Sequence, residues 1–128
     1  MPLVTLTLRS HPAPEVKRAM LDAIHHALVA SGVPPADRFQ RVIVPAPGDL
    51  VVDPRYPDLT HDRGERSVIV EVLWSVGRSV KVKRKVVGDI VAGVARAASI
   101  EPDDVMVVFV ETAWENWAFA GGKLLHAA

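Results

Sequence analysis

The sequence contains no cysteine. That excludes a disulfide framework, a thiolate nucleophile and a cysteine-rich zinc site. It also lacks an excess of charge: 15 Lys and Arg balance 15 Asp and Glu, for a formal net charge of +0. A globally basic nucleic-acid binder and an acidic-tail protein are therefore excluded, although a local patch is not. No run reaches the roughly 18 consecutive apolar residues of a membrane helix. The N-terminus has no basic region followed by an apolar run and a cleavage site. These absences set the expectation of a soluble, cytoplasmic protein with neither a membrane nor a nucleic-acid partner. Walker, GxGxxG and GxSxG motifs are missing. His11, His25, His26, His61 and His126 show no metal-ligand spacing, so no metal site is expected. What is present is a 49% hydrophobic composition over 128 residues, enough for one domain (1–128) with a buried core.

Residues 3–8 (LVTLTL) alternate apolar residues with threonine, the period of a half-buried strand. SHPAP stops it, and Pro14 suits the first turn of a helix running to Ala30. Val16, Met20, Ala23 and Ala27 recur there at helical steps, and Gly32 fits its end. VPPADRF reads as a rigid turn, and Gln40 to Val44 as a second strand. Residues 50–64 read as a short strand and then a charged, proline-rich loop. Ser67 to Ser75 (SVIVEVLWS) is a third main strand. Ser79 is a plausible N-cap for a helix to Ala98, with Val82, Val86, Ile90 and Val94 four apart. SVKVKRKV (79–86) also fits period 2, but its length and the later spacing favour helix. EPDD turns into Val105–Val110, expected to be a continuous buried strand.

The chain thus reads strand–helix–strand twice, about 1–64 and 65–128. The expected fold is α+β: two fused β-α-β units giving a four-stranded sheet with both helices on one face. The other face needs a cover, because the strands from 68 and 105 are apolar on both sides. That cover is expected to come from further copies of the chain.

Several residues are candidates for chemistry. Pro2 follows Met1; with the methionine removed it becomes a secondary amine at the start of a strand. An apolar wall and nearby cations lower the pKa of such an amine, fitting it for general-base or nucleophilic work. Taken alone it is also an ordinary second residue. Arg78 follows Gly77 at a strand end, where ligands of sheet-and-helix folds tend to sit. Its guanidinium suits a carboxylate, although a solvated turn arginine would look the same. Lys81, Lys83, Arg84 and Lys85 oppose the helix dipole, so they either steer anions or form a solvated face. Asp37 can orient a water or an amine, or simply close a turn. Trp114, Trp117 and Phe119 can roof a pocket or pack an interface. Trp74 is most simply a core residue.

Taken in order, MPLVTLTL, VPPADRFQ, PGDLVVDP, the GRS before the second helix, PDDV and the ENWAF tail resemble the tautomerase superfamily. The branch most resembled is that of malonate semialdehyde decarboxylase. The resemblance spans nearly the whole chain and implies a homotrimer with an amino-terminal proline in each active site. It implies Pro2 as the catalytic proline once Met1 is gone, and Asp37 as the aspartate acting with it or with a water. It also implies Arg78 as the carboxylate-binding arginine, with Trp117 and Phe119 lining the pocket. Some relatives carry a second arginine where this chain has Val76. The implied function is a cofactor-independent tautomerase of a small 2-oxo or 3-oxo carboxylic acid. The alternatives are a malonate-semialdehyde-type decarboxylase or hydratase at the same site, and a non-catalytic anion- or nucleic-acid-binding module using Arg78 to Lys85.

Overall fold

Alternation in the sequence becomes sidedness in β1 (Leu3–Leu8). Val4, Leu6 and Leu8 are buried with Met20, Ile24 and Leu28 of the first helix, and Leu3, Thr5 and Thr7 take the other face. The structure is a computed structural model and describes residues 1–125; His126 lies outside the described residues. Helix α1 (Pro14–Ala30) opens on proline, and Gly32 follows its C-cap Ser31 with φ 112°. That left-handed conformation lets the chain turn back without a Cβ clash. β2 (Phe39–Ile43) lies one residue earlier than the expected Gln40–Val44. Phe39 joins the ladder opposite Leu3.

The strand expected after residue 50 does not form. The Asp53 carboxylate accepts the backbone N–H groups of Arg55 and Tyr56 at 3.0 and 2.8 Å, which folds the segment into a turn. Pro54 and Pro57 offer no N–H to a ladder, and Val51 is exposed. The second unit is β3 (Val68–Ser75), α2 (Val80–Ala98) and β4 (Val105–Thr112). The ambiguous 79–86 stretch is helical: the Ser79 hydroxyl accepts the Val82 N–H at 3.2 Å, and Val86, Ile90 and Val94 are buried.

The sheet order is β2-β1-β3-β4. Each β-α-β unit contributes a parallel pair, and the two units join through the antiparallel pairing of β1 with β3. Both helices pack on one face, around a core that includes Leu6, Ile24, Val70, Val72, Trp74 and Ile90. Within the single chain β4 is only partly buried, because the face expected to be covered by further copies is open. It is an edge strand, and Met106 and Val110 stand half-exposed on the face without helices, as do Phe39 and Ile43. Among the described residues no helix is long and apolar enough to cross a membrane.

The helices touch closely at Gly93, where an added Cβ would lie 2.9 Å from the Ala23 Cβ. Gly93→Val is therefore expected to destabilise the protein by about 1–3 kcal/mol through overpacking. Thermal unfolding checks this; an unchanged midpoint would mean that the helices part freely.

Candidate active site

Strand register brings the candidate residues to one end of the sheet. Leu3 faces Leu73 in the antiparallel pairing, so the chain start runs on toward Trp74 and Ser75. Leu3 faces Phe39 on its other side, so the same start lies beside the turn containing Asp37. That turn is closed by the Asp37 N–H donating to the Pro34 carbonyl at 3.0 Å.

Pro2 is fully buried. With Met1 in place its nitrogen is an amide, and the free amine belongs to Met1. That amine donates to Asp37 Oδ2, and the Met1 sulfur lies 3.9 Å from the Ser75 hydroxyl. The second Asp37 oxygen is buried and accepts no hydrogen bond among the described residues. Burial, and then the positive charge of Arg78, bring the Met1 ammonium down from 8.0 to about 6; a carboxylate contact pulls the other way. The end of the chain is thus an amine with a carboxylate against it and a guanidinium within electrostatic reach.

Arg78 owes its position to Gly77, whose φ of 119° turns the chain between β3 and α2. Its Nη1 donates to the Ser75 carbonyl at 2.8 Å, and its Cζ lies 3.9 Å from the centre of the Trp74 ring. Burial holds the guanidinium pKa below its ordinary value, and the Glu111 charge opposes that shift. Trp74 is the core residue expected, yet one face of its ring meets Arg78, a contact that reading it as core alone misses. Trp74 and Arg78 stand four apart across Gly77, and that spacing is the only signal the sequence offered.

Trp117 and Phe119 stack with centroids 5.5 Å apart, and Phe119 meets Phe39 at 5.5 Å. Phe39 pairs with Leu3, so this cluster forms on the face that Leu3 takes, at the same end of the sheet. Phe39 was not among the candidates. Val76, at the position of the absent second arginine, is exposed and gives its carbonyl to the Trp114 indole N–H at 3.2 Å. The basic cluster is partly neutralised: Lys83 pairs with Glu111 at 2.8 Å and Lys85 with Asp89 at 2.6 Å. His25 contacts the Pro35 carbonyl at 2.9 Å. Among the described residues no three histidine or carboxylate side chains are grouped to hold a metal.

Two fused β-α-β units joined through antiparallel β1 and β3, with both helices on one face, define a small α+β fold. A family model described as tautomerase enzyme matches residues 37–120, and the chain belongs to that family of enzymes. The chain is similar to malonate semialdehyde decarboxylase from FG41, solved inhibited by 3-bromopropiolate. The two share 30% identity over 95% of this chain and 92% of that one, with a TM-score of 0.86. A second malonate semialdehyde decarboxylase, described as having decarboxylase and hydratase activities, gives 30% identity, 95% and 93% coverage and a TM-score of 0.85. A fused 4-OT, solved as a symmetric trimer, shares the fold at 24% identity, with 95% and 94% coverage and a TM-score of 0.78. No sequence among the curated proteins matches the chain.

Proposed function

We propose that this protein is a cofactor-independent tautomerase of a small 2-oxo or 3-oxo carboxylic acid, with Pro2 as its general base and acid once Met1 is removed. The observation that carries the reading is the buried chain start, set against Asp37 and under the charge of Arg78. Removing Met1 leaves the Pro2 nitrogen as the terminal amine at that end. Burial and the Arg78 charge, which lower the pKa of the Met1 ammonium at that end, act on it in the same direction and favour the neutral amine. The neutral amine takes a proton from the carbon beside the substrate carbonyl, and the C–H pair becomes the enolate π bond. The same nitrogen returns the proton to oxygen; in the reverse direction the roles exchange. Arg78 binds the carboxylate and stabilises the developing negative charge. Asp37, with one oxygen lacking a partner among the described residues, accepts from the ammonium or holds a water. Trp117 and Phe119 shield the site from solvent, which strengthens these interactions.

The half-exposed Phe39, Ile43, Met106 and Val110 support a homotrimer, with the open sheet face covered by the other copies. The trimeric fused 4-OT has the same fold.

A second reading keeps the site and is favoured by the 30% identity to two malonate semialdehyde decarboxylases. Protonated Pro2 polarises the carbonyl of a 3-oxo acid, the bond to the carboxylate breaks and carbon dioxide leaves. The electron pair of the broken bond becomes the enolate π bond, and the enolate takes the Pro2 proton at carbon. The two readings separate when the purified protein is given the enol of a 2-oxo acid and, separately, malonate semialdehyde. Loss of enol absorbance in proportion to enzyme, without carbon dioxide release from the semialdehyde, is the expected result. Carbon dioxide release without enol conversion would replace the first reading by the second, and neither reaction would contradict both.

A further inference from the structure

Trp74 lies fully buried between two partners. Phe109 stacks on it with centroids 4.7 Å apart and planes 4° from parallel, and the Arg78 guanidinium carbon sits 3.9 Å from its ring centre. An aromatic face attracts a cation without using any of its N–H donors. A carboxylate in that place would both neutralise the guanidinium and occupy those donors. The nearby Glu111 carboxylate is engaged by Lys83 at 2.8 Å instead. One Arg78 nitrogen is anchored on the Ser75 carbonyl, and its other N–H groups meet no protein acceptor among the described residues. The arginine is therefore held before any ligand arrives, with its remaining donors free among the described residues. Fixing a long side chain in advance removes an ordering cost from binding.

We propose that Trp74, backed by Phe109, is a positioning residue that fixes Arg78 for a substrate carboxylate. This rests on the reading of Arg78 as the carboxylate anchor.

The test uses 3-hydroxypropionate, a small carboxylate with no carbonyl to react, and calorimetric Kd values for the wild type, Trp74→Phe and Trp74→Leu. Both substitutions shrink a core side chain, but only phenylalanine keeps a ring face for the guanidinium. Trp74→Phe is expected to bind within about twofold of the wild type, and Trp74→Leu roughly fivefold to tenfold more weakly. Equal weakening by both, in step with lost stability, would overturn the proposal, as would unchanged binding in Trp74→Leu. Should Trp74→Leu fail to fold, the Arg78 Nε–H signal in the NMR spectrum of the unliganded wild type decides. A sharp, ring-current-shifted resonance is expected, and an averaged one at the position of a free arginine would overturn the proposal. Absence of 3-hydroxypropionate binding by the wild type would instead overturn the carboxylate-site reading, and this proposal with it.

Discussion

Replacing Pro2 by alanine is expected to lower kcat/KM about a hundredfold or more, in a protein that still folds. Proton transfer by a positioned group contributes about 10²–10⁴ in rate, and here a single nitrogen is asked to both take and return the proton. Alanine still permits removal of Met1, so the variant keeps an amine at the chain start. It loses the ring that fixes that amine against the buried end of β1. Pro2 lies outside the ladder, which begins at Leu3, but its ring is fully buried, so the variant is expected to fold with a stability loss of about 1–2 kcal/mol. Rates and thermal unfolding measured on the same preparation separate the two effects. A fully active Pro2→Ala protein would contradict the mechanism.

The second large effect belongs to Arg78. Loss of a hydrogen bond to a charged group costs about 1.5–3 kcal/mol, so Arg78→Ala is expected to lose roughly 10- to 100-fold in kcat/KM. The same substitution should move the pH profile. The Arg78 charge disfavours the protonated amine, as its effect on the Met1 ammonium shows. Removing it stabilises the ammonium and raises the amine pKa. In the proposed mechanism the neutral amine is the base, so the acidic limb should move to higher pH. The movement is partial, because burial is the larger cause of the lowering and remains. A profile that keeps its acidic limb in place would show that Arg78 does not act on the amine.

The stability of chain that retains Met1 follows the same sign. Its ammonium titrates at about 6 when folded and near 8.0 when unfolded. Between those values the unfolded chain binds more protons, so this group makes stability rise with pH across that window.

Local signals made β1 and α1 legible. The alternation of residues 3–8, the first-turn Pro14 and the positive-φ Gly32 each act within a few residues, and both elements form over the expected spans. The failure after residue 50 has an equally local cause. Val51 and Val52 look like the start of a strand, but the Asp53 side chain captures two backbone N–H groups that a ladder would need. The burial of β4 has a non-local cause. Burial of Met106 and Val110 depends on strand order and on what covers the open face, and neither is written in the strand's own residues.

The candidate site depends on register, which is non-local. Nothing near Pro2, Asp37 or Arg78 in the sequence says that they share one end of the sheet; the family resemblance suggested it. The pairings of Leu3 with Leu73 and with Phe39 set the chain start between the β3 end and the Asp37 turn. Trp74 shows how far a correct reading can stop short. It is core, as its strand position implies, but only the turn at Gly77 decides that Arg78 folds back over it.

A reactive amino-terminal proline leaves its mark in the intact mass. The purified protein is weighed before and after exposure to a small electrophilic acetylenic acid, and the adduct is located by peptide mapping. Loss of Met1 and a single adduct on Pro2 are expected, with labelling slowed in Arg78→Ala. A protein that has lost Met1 and takes up no adduct, or takes it up elsewhere, would contradict a reactive Pro2.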